Sequence, residues 1–258
     1  MIEGTLGFIG TGTITEAIIT GIFAVPDRAA DILVSPRNAE VAAKLAARYP
    51  SVRIAGSNQE IVDAADMLFL AVRPQIAEEV IRALRFRPGQ RVVSLIAAVH
   101  DAKLTEWIDQ KVEIVRAVPL PFVADRTGVT MIYPPEPRAA SFFAGLGTAV
   151  ECETQNEYDL LAAASALMGT YFGLLERTTE WLTSQGISEQ KSRNYLAPLF
   201  ASLGRTSVIS QDRSPGDLRR EFSTKGGLNE QLFREFEQGG GTEALTAALT
   251  SVLLRIKT

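Results

Sequence analysis

The sequence predicts an α/β protein: a doubly wound, mostly parallel sheet followed by an all-helical C-terminal domain. Three observations carry this. Short, nearly continuous apolar runs alternate with amphipathic helical segments through the first half. A glycine turn joins the first of those runs to the first helix, and after about residue 155 only helical periodicity remains. The boundary is placed near 154, which gives domains 1–154 and 155–258.

Strands are expected at 5–9, 32–34, 52–54, 67–72, 91–95, 112–117 and 129–132, with a short one at 150–153. Between them, helical patterns cover 39–49, 59–64, 76–84 and 138–149, and Asp101 reads as the N-cap of a helix over 102–109. In the second half, periodic segments run over 157–185, 188–210, 215–222, 229–238 and 242–256. The first of these is entered through Asn156 with Asp159 three residues on, a capping arrangement.

The glycine turn is the most informative stretch: Thr5-Leu6-Gly7-Phe8-Ile9-Gly10-Thr11-Gly12-Thr13-Ile14-Thr15-Glu16-Ala17. Gly10 permits a sharp turn out of the strand, and Gly12 lets a phosphate approach the backbone at a helix N-terminus. The spacing is G-x-G-x-x-T, with Thr15 where a small residue is usual, and the helix shows Ala17, Ile18, Gly21 and Ile22 on one face. This is a Rossmann-type dinucleotide site whose candidate residues are Gly7, Gly10, Thr11, Gly12, Thr13 and Ile14. The plain alternative is an ordinary glycine-rich strand-to-helix turn.

The second strand end reads Val34-Ser35-Pro36-Arg37-Asn38 and lacks the acidic residue that would bind the ribose hydroxyls of NAD. Ser35 and Asn38 can donate hydrogen bonds and Arg37 can clamp a 2′-phosphate, so NADPH is favoured over NADH. Otherwise Ser35 is a turn residue and Arg37 a solvated charge. At the fourth strand end, Ala71, Val72, Arg73 and Pro74 stand at the lip where open sheets bind ligands.

Composition narrows the function. With 46% hydrophobic residues in 258, a substantial core is available, and a net charge of -4 argues against a nucleic-acid partner. No apolar run is expected to approach membrane-spanning length and no leader is read before the first strand, so neither membrane nor secretion is expected. The single thiol, Cys152, suits a cytoplasmic location. His100 and Cys152, one of each type, cannot build a His/Cys zinc site within one chain, and no metal is expected. His100 reads as a helix-entry residue rather than a triad base, so the chemistry is borrowed from a cofactor.

Five motifs give the chain a family resemblance: Gly7-Phe8-Ile9-Gly10 with Glu16-Ala17, Leu70-Ala71-Val72-Arg73-Pro74-Gln75, Val93-Ser94-Leu95-Ile96-Ala97-Ala98-Val99, Arg116-Ala117-Val118-Pro119 and Ser223-Thr224-Lys225-Gly226-Gly227. In these the chain resembles the pyrroline-5-carboxylate reductases, which make proline. The resemblance implies hydride transfer from NADPH to a C=N bond. It also implies a homodimer interlocked through the helical domain, possibly within a larger homo-oligomer, with active sites built from both chains. Ala97 joins the cofactor-contacting set on the same ground. Where the family reads M-P-N-T-P this chain has Val118-Pro119-Leu120-Pro121-Phe122, and where it reads S-G-S-G-P-A-Y the chain carries Tyr171 and Phe172. The two rings would reshape the pocket or pack as helix core. Glu180 and Gly186 keep the family's register, whereas Asn229 replaces its hydroxyl.

Read by itself, the stretch Lys225-Gly226-Gly227-Leu228 suits a nest for a substrate carboxylate at a helix N-terminus, or a helix-entry turn capped by Asn229. Ser223, Thr224 and Asn229 are the candidates for orienting an imine, and Glu180 for stabilising its cationic nitrogen. Three alternatives stay open. One is a hydroxyacid dehydrogenase using Lys191 and Asn194, another a reductase of a different imine, and the third a non-catalytic NADPH-binding protein.

Overall fold

The computed structural model describes residues 4–25, 31–97 and 99–257. They fall into two compact units that divide between Ala162 and Ala163. The first unit contains β1 (Thr5–Ile9), α1 (Thr13–Phe23), β2 (Asp31–Val34), α2 (Ala39–Arg48), β3 (Val52–Ile54), α3 (Asn58–Ala64), β4 (Met67–Leu70) and α4 (Pro74–Arg82). It continues with β5 (Arg91–Ser94), α5 (Asp101–Trp107), β6 (Glu113–Pro119), a 3-10 turn over Pro121–Asp125, β7 (Gly128–Tyr133), α6 (Pro137–Ala144), β8 (Gly147–Glu151) and all but the end of α7 (Gln155–Ala164). The strands form one sheet in the order β3-β2-β1-β4-β5-β6-β7-β8. Every neighbouring pair is parallel except β6 and β7, so the doubly wound arrangement expected from the sequence is present.

Apolar strands are needed here because both faces are covered. Successive side chains point to opposite faces. Leu6, Phe8, Ile32, Val34, Phe69 and Val93 therefore share one core layer, and Ile9, Leu33, Leu68, Leu70 and Val92 share the other. Phe8 stacks on Phe69 with ring centroids 4.6 Å apart. Each such buried ring or branched chain contributes about 1.5–3 kcal/mol. Gly7 faces α3, where a Cβ would come within 2.5 Å of Ile61 Cγ2. It is a helix-packing position inside β1, which corrects its assignment to the cofactor set. On α1, Gly21 lies against the Val123 carbonyl in the 3-10 turn, so that turn rests directly on the helix.

Many element ends shift by one to three residues, and the larger departures from the sequence reading have local reasons. The helix expected over 138–149 ends at Ala144, and β8 begins at Gly147 with φ 142°, a conformation that closes the helix and suits glycine. The helix expected over 157–185 is interrupted at Ser165–Ala166. Asn156 is not its cap: Thr154 Oγ1 accepts from the Glu157 N–H at 3.2 Å, and Glu157 Oε2 accepts from the Glu153 N–H at 2.7 Å. Asp101 is not an N-cap either; His100 holds that position and Asp101 is the first residue of α5. The start of α7 goes with the sheet beyond residue 154 because Tyr158 and Ala162 pack on Met131 and Cys152.

The second unit contains α8 (Leu167–Ser184), α9 (Glu189–Ile209), α10 (Pro215–Glu221), α11 (Leu228–Gln238) and α12 (Gly241–Lys257). Helix α8 ends in a Schellman motif: Gly186, at φ 91°, donates to the Thr183 carbonyl at 3.0 Å and Ile187 to that of Leu182 at 3.1 Å. The turn folds α9 back on α8. No residue of α8, α10, α11 or α12 is buried, while Trp181, Tyr195, Leu228, Leu232 and Leu254 are all more than 60% exposed. So much uncovered apolar surface is the mark of an association face. The same apolarity makes the stretch Gln155–Ser184 long and apolar enough, by length and composition, to cross a membrane. That corrects the expectation that no run approaches spanning length.

Substituting Gly21 by Ala should destabilise the protein by about 2–3 kcal/mol, since the added methyl meets backbone rather than a movable side chain. Urea unfolding at constant m-value measures this.

Candidate functional site

Strand order reverses between β1 and β4: β2 and β3 lie on one side of β1, and β4, β5 and β6 on the other. The connecting loops diverge there and leave a crevice at the carboxyl ends of the strands. Around it stand Gly10–Ile14 after β1, Ser35–Asn38 after β2, Ala71–Pro74 after β4 and Ala97 after β5, so the structure brings the expected cofactor set to one sheet edge. Three strand spacings separate β2 from β5, about 14 Å, a reach suited to an extended dinucleotide.

Gly10 has φ 103°, and a Cβ on it would sit 2.5 Å from the Ala71 carbonyl oxygen, so turn and lip can meet only through glycine. Gly12 is the N-cap residue of α1 in extended conformation, with no side-chain capping bond. A Cβ on it would meet nothing within 4 Å. The first intrahelical bond is Glu16 N–H to the Gly12 carbonyl at 3.0 Å, which leaves the N–H groups of Thr13 and Ile14 without a helical acceptor. An uncapped N-terminus above open space fits a dinucleotide diphosphate. The sequence departure at Thr15 also acquires a purpose, because its buried hydroxyl donates to the Gly10 carbonyl at 2.7 Å and fastens the turn.

Thr11 ties the same turn to the second strand end, its Oγ1 donating to the Ser35 carbonyl at 2.7 Å. Ser35 is 1% exposed, which corrects its expected role as a surface donor. The polar groups presented there are the exposed Arg37 and Asn38, and Asn38 makes no capping bond to α2. Arg73 is exposed at the N-cap of α4, with Pro74 as the first helical residue. Ala97 is exposed between buried Ile96 and Val99; Ala98 of that motif lies outside the described residues. Leu120 follows β6, half-buried, as the residue that enters the 3-10 turn.

In the second unit, Ser223–Asn229 form one loop into α11. Gly226, at φ 71°, donates its N–H to Glu230 Oε2 at 2.6 Å, and Gly227 donates to the Thr224 carbonyl at 2.8 Å. Part of the expected nest is thus engaged by the chain's own carboxylate. Gly227, not Asn229, is the N-cap, and Asn229 Nδ2 donates to the Phe222 carbonyl at 2.6 Å. The N–H groups of Leu228 and Asn229 remain without intrahelical acceptors, with exposed Lys225 beside them. Glu180 lines an open groove of about 590 Å³ between α8 and α9, and its Oε2 accepts from Arg177 at 2.7 Å. Tyr171 packs α8 on α9 through Phe200, with centroids 5.5 Å apart, whereas Phe172 is 58% exposed in the groove. Of the alternative pair, Asn194 Oδ1 accepts from Gln190 on its own helix and Lys191 is exposed.

One cluster went unnoticed in the sequence: Arg116, buried in β6, with Asp101, Gln155, Tyr158 and Asp159 around it. An arginine inside the apolar run Ile114-Val115-Arg116-Ala117-Val118 was the available signal. Burial pushes the Asp101 carboxyl above the usual range despite Arg116, and it raises the Tyr158 hydroxyl and the Cys152 thiol as well.

Gly12→Ala should fold within about 0.5 kcal/mol of the parent, because its methyl enters open space. It should weaken NADPH binding by about tenfold or more if a diphosphate approaches the helix through that space. Gly10→Ala should lose both stability and binding; thermal unfolding with fluorescence titration separates the two.

Two family profiles match the chain. Residues 5–98 match "NADP oxidoreductase coenzyme F420-dependent", and residues 156–258 match "Pyrroline-5-carboxylate reductase dimerisation". A pyrroline-5-carboxylate reductase of Pseudomonas aeruginosa is 29% identical over 251 residues, covering 93% of this chain and 90% of the relative. Among solved structures, a pyrroline-5-carboxylate reductase from Coxiella burnetii is similar with TM-score 0.86 and 23% identity, covering 98% of this chain and 97% of that one. The Plasmodium falciparum pyrroline carboxylate reductase with NADP bound gives TM-score 0.81 and 18% identity, with 100% and 98% covered.

Proposed function

The chain belongs to the pyrroline-5-carboxylate reductase family, NAD(P)H-dependent oxidoreductases acting on the CH–NH group, and from that premise we propose that it reduces pyrroline-5-carboxylate to proline with NADPH. The observation that carries the proposal is the uncapped N-terminus of α1 at the point where strand order reverses. NADPH, when bound, supplies the hydride for the imine carbon.

The chain's own residues do the rest. The N–H groups of Thr13 and Ile14 hold the diphosphate, and the Arg37 fork with Asn38 selects the 2′-phosphate. Ala71, Val72, Arg73 and Pro74 form the lip, and Ala97 stands at its far end. In the helical unit, the Leu228 and Asn229 N–H groups with Lys225 bind the substrate carboxylate. Ser223, Thr224 and the free valences of Asn229 orient the ring, and Glu180 steadies the cationic nitrogen. A protonated imine is already electrophilic, so positioning and charge do most of what the protein must do.

The C-terminal unit is a dimerisation domain and the chain forms homo-oligomers through it. The dimer is the state we propose, with each site completed by the second chain. A cytoplasmic setting accords with a free, buried Cys152. A second reading, reduction of a different imine, draws on Leu120, on exposed Phe172 and on the Asn229 amide already bonded to Phe222.

Steady-state oxidation of NADPH should depend on pyrroline-5-carboxylate and exceed that with 1-pyrroline, which lacks the carboxylate. The reverse order would favour the second reading, and NADPH binding without turnover would favour a non-catalytic protein. Arg37→Ala should raise KM for NADPH about tenfold and leave that for NADH unchanged; equal effects on both would remove Arg37 from 2′-phosphate recognition.

A further inference from the structure

Arg116 is a buried charge that the reaction outlined above leaves unused. Its side chain is 3% exposed in the middle of β6, in register with Ser94, the last residue of β5. A guanidinium cannot shed its charge there, so it must be held by partners. Nη1 donates to Gln155 Oε1 at 2.8 Å, and the Tyr158 ring lies 4.3 Å from Cζ. Gln155 in turn donates from Nε2 to Asp159 Oδ1 at 2.6 Å. The remaining contact is looser: Nε and Asp101 Oδ1 are 3.4 Å apart, and neither atom has a hydrogen-bond partner.

Asp101 opens α5, and between it and β5 runs the loop 95–100 that displays Ala97 at the lip. The first half of this loop is anchored by the Leu95 N–H on the Leu70 carbonyl at 2.9 Å and by buried Ile96. The described residues just before α5 are anchored by buried Val99 and by the Asp101 contact to Arg116. We propose that Arg116 is a positioning residue for hydride transfer: through Asp101 it sets Val99 and His100 at the entry to α5, and so bears on the place of Ala97 beside the nicotinamide end of the crevice. This rests on the cofactor site proposed above.

Burial weakens the pair as a source of stability. Around the Asp101 carboxyl stand Arg116 on β6, Tyr158 and Asp159 on α7, and the adjacent His100; burial raises it more strongly than Arg116 lowers it. A carboxyl raised on folding destabilises the native state when ionised, and that cost disappears as pH falls through the native value. What the contact fixes is geometric: it ties the first residue of α5 to the middle of β6 across 3.4 Å.

The test compares the full-length parent with Asp101→Asn and Arg116→Lys. Asp101→Asn should lower kcat with pyrroline-5-carboxylate about tenfold, the scale of a modest misplacement near the reacting atoms. Its affinity for 2′,5′-ADP, a probe of the adenosine end alone, should stay within about twofold, and its melting temperature should not drop. In the parent, kcat should fall as acid protonates Asp101, and Asp101→Asn should flatten that limb. Arg116→Lys keeps the charge without the fork and should also lower kcat with 2′,5′-ADP affinity retained. Unchanged kcat in both variants, or a joint fall of kcat, 2′,5′-ADP affinity and melting temperature, would overturn the positioning role alone. Failure of the parent to bind 2′,5′-ADP would overturn the cofactor reading, and this inference with it.

Discussion

A helix start with no side chain to cap it, placed where two halves of a sheet turn away from each other, is the constraint from which the remaining features follow. The N–H groups of Thr13 and Ile14 have no helical acceptor, and Gly12 leaves the space above them open. Open donors at a helix N-terminus call for an anion. Holding the turn in that shape takes Gly10 at φ 103°, the Thr15 hydroxyl on its carbonyl and the Thr11 hydroxyl on Ser35. The two core layers beneath make the edge rigid enough for these few contacts to matter.

The helical unit obeys a different constraint. Its helices bury almost none of their apolar side chains within one chain, and the sequence profile over 156–258 is that of a dimerisation domain. A surface of that kind is stable only when covered, so folding and association are thermodynamically linked. The apolarity that lets Gln155–Ser184 pass as a membrane span by composition is, on this view, the apolarity of an interface.

Much of the first unit was legible in the sequence because parallel strands covered on both faces are written as apolar runs. The strands 5–9 and 52–54 match residue for residue. What escaped was set by tertiary contact. Asp101 looked like a cap because Asp before a helix usually is one, but its carboxylate turns to Arg116, which lies fifteen residues on in β6.

 Ser35 read as a donor because it follows the second strand, where ribose hydroxyls are usually bound, yet its carbonyl accepts from Thr11 and the residue is buried. In the loop before α11 the nest was legible from two glycines, while its partial engagement by Glu230 depends on a side chain four residues away. Gly7 entered the cofactor set with the motif Gly7-Phe8-Ile9-Gly10; only the approach of Ile61 on α3 and of Ala65 just after it shows that it serves packing.

The most direct test of the central claim is a crystal structure of the protein grown with NADP+. The account predicts diphosphate oxygens within hydrogen-bonding distance of the Thr13 and Ile14 N–H groups, with the 2′-phosphate beside Arg37. A nucleotide bound away from the β1–α1 turn, or a diphosphate held without those two N–H groups, would contradict it.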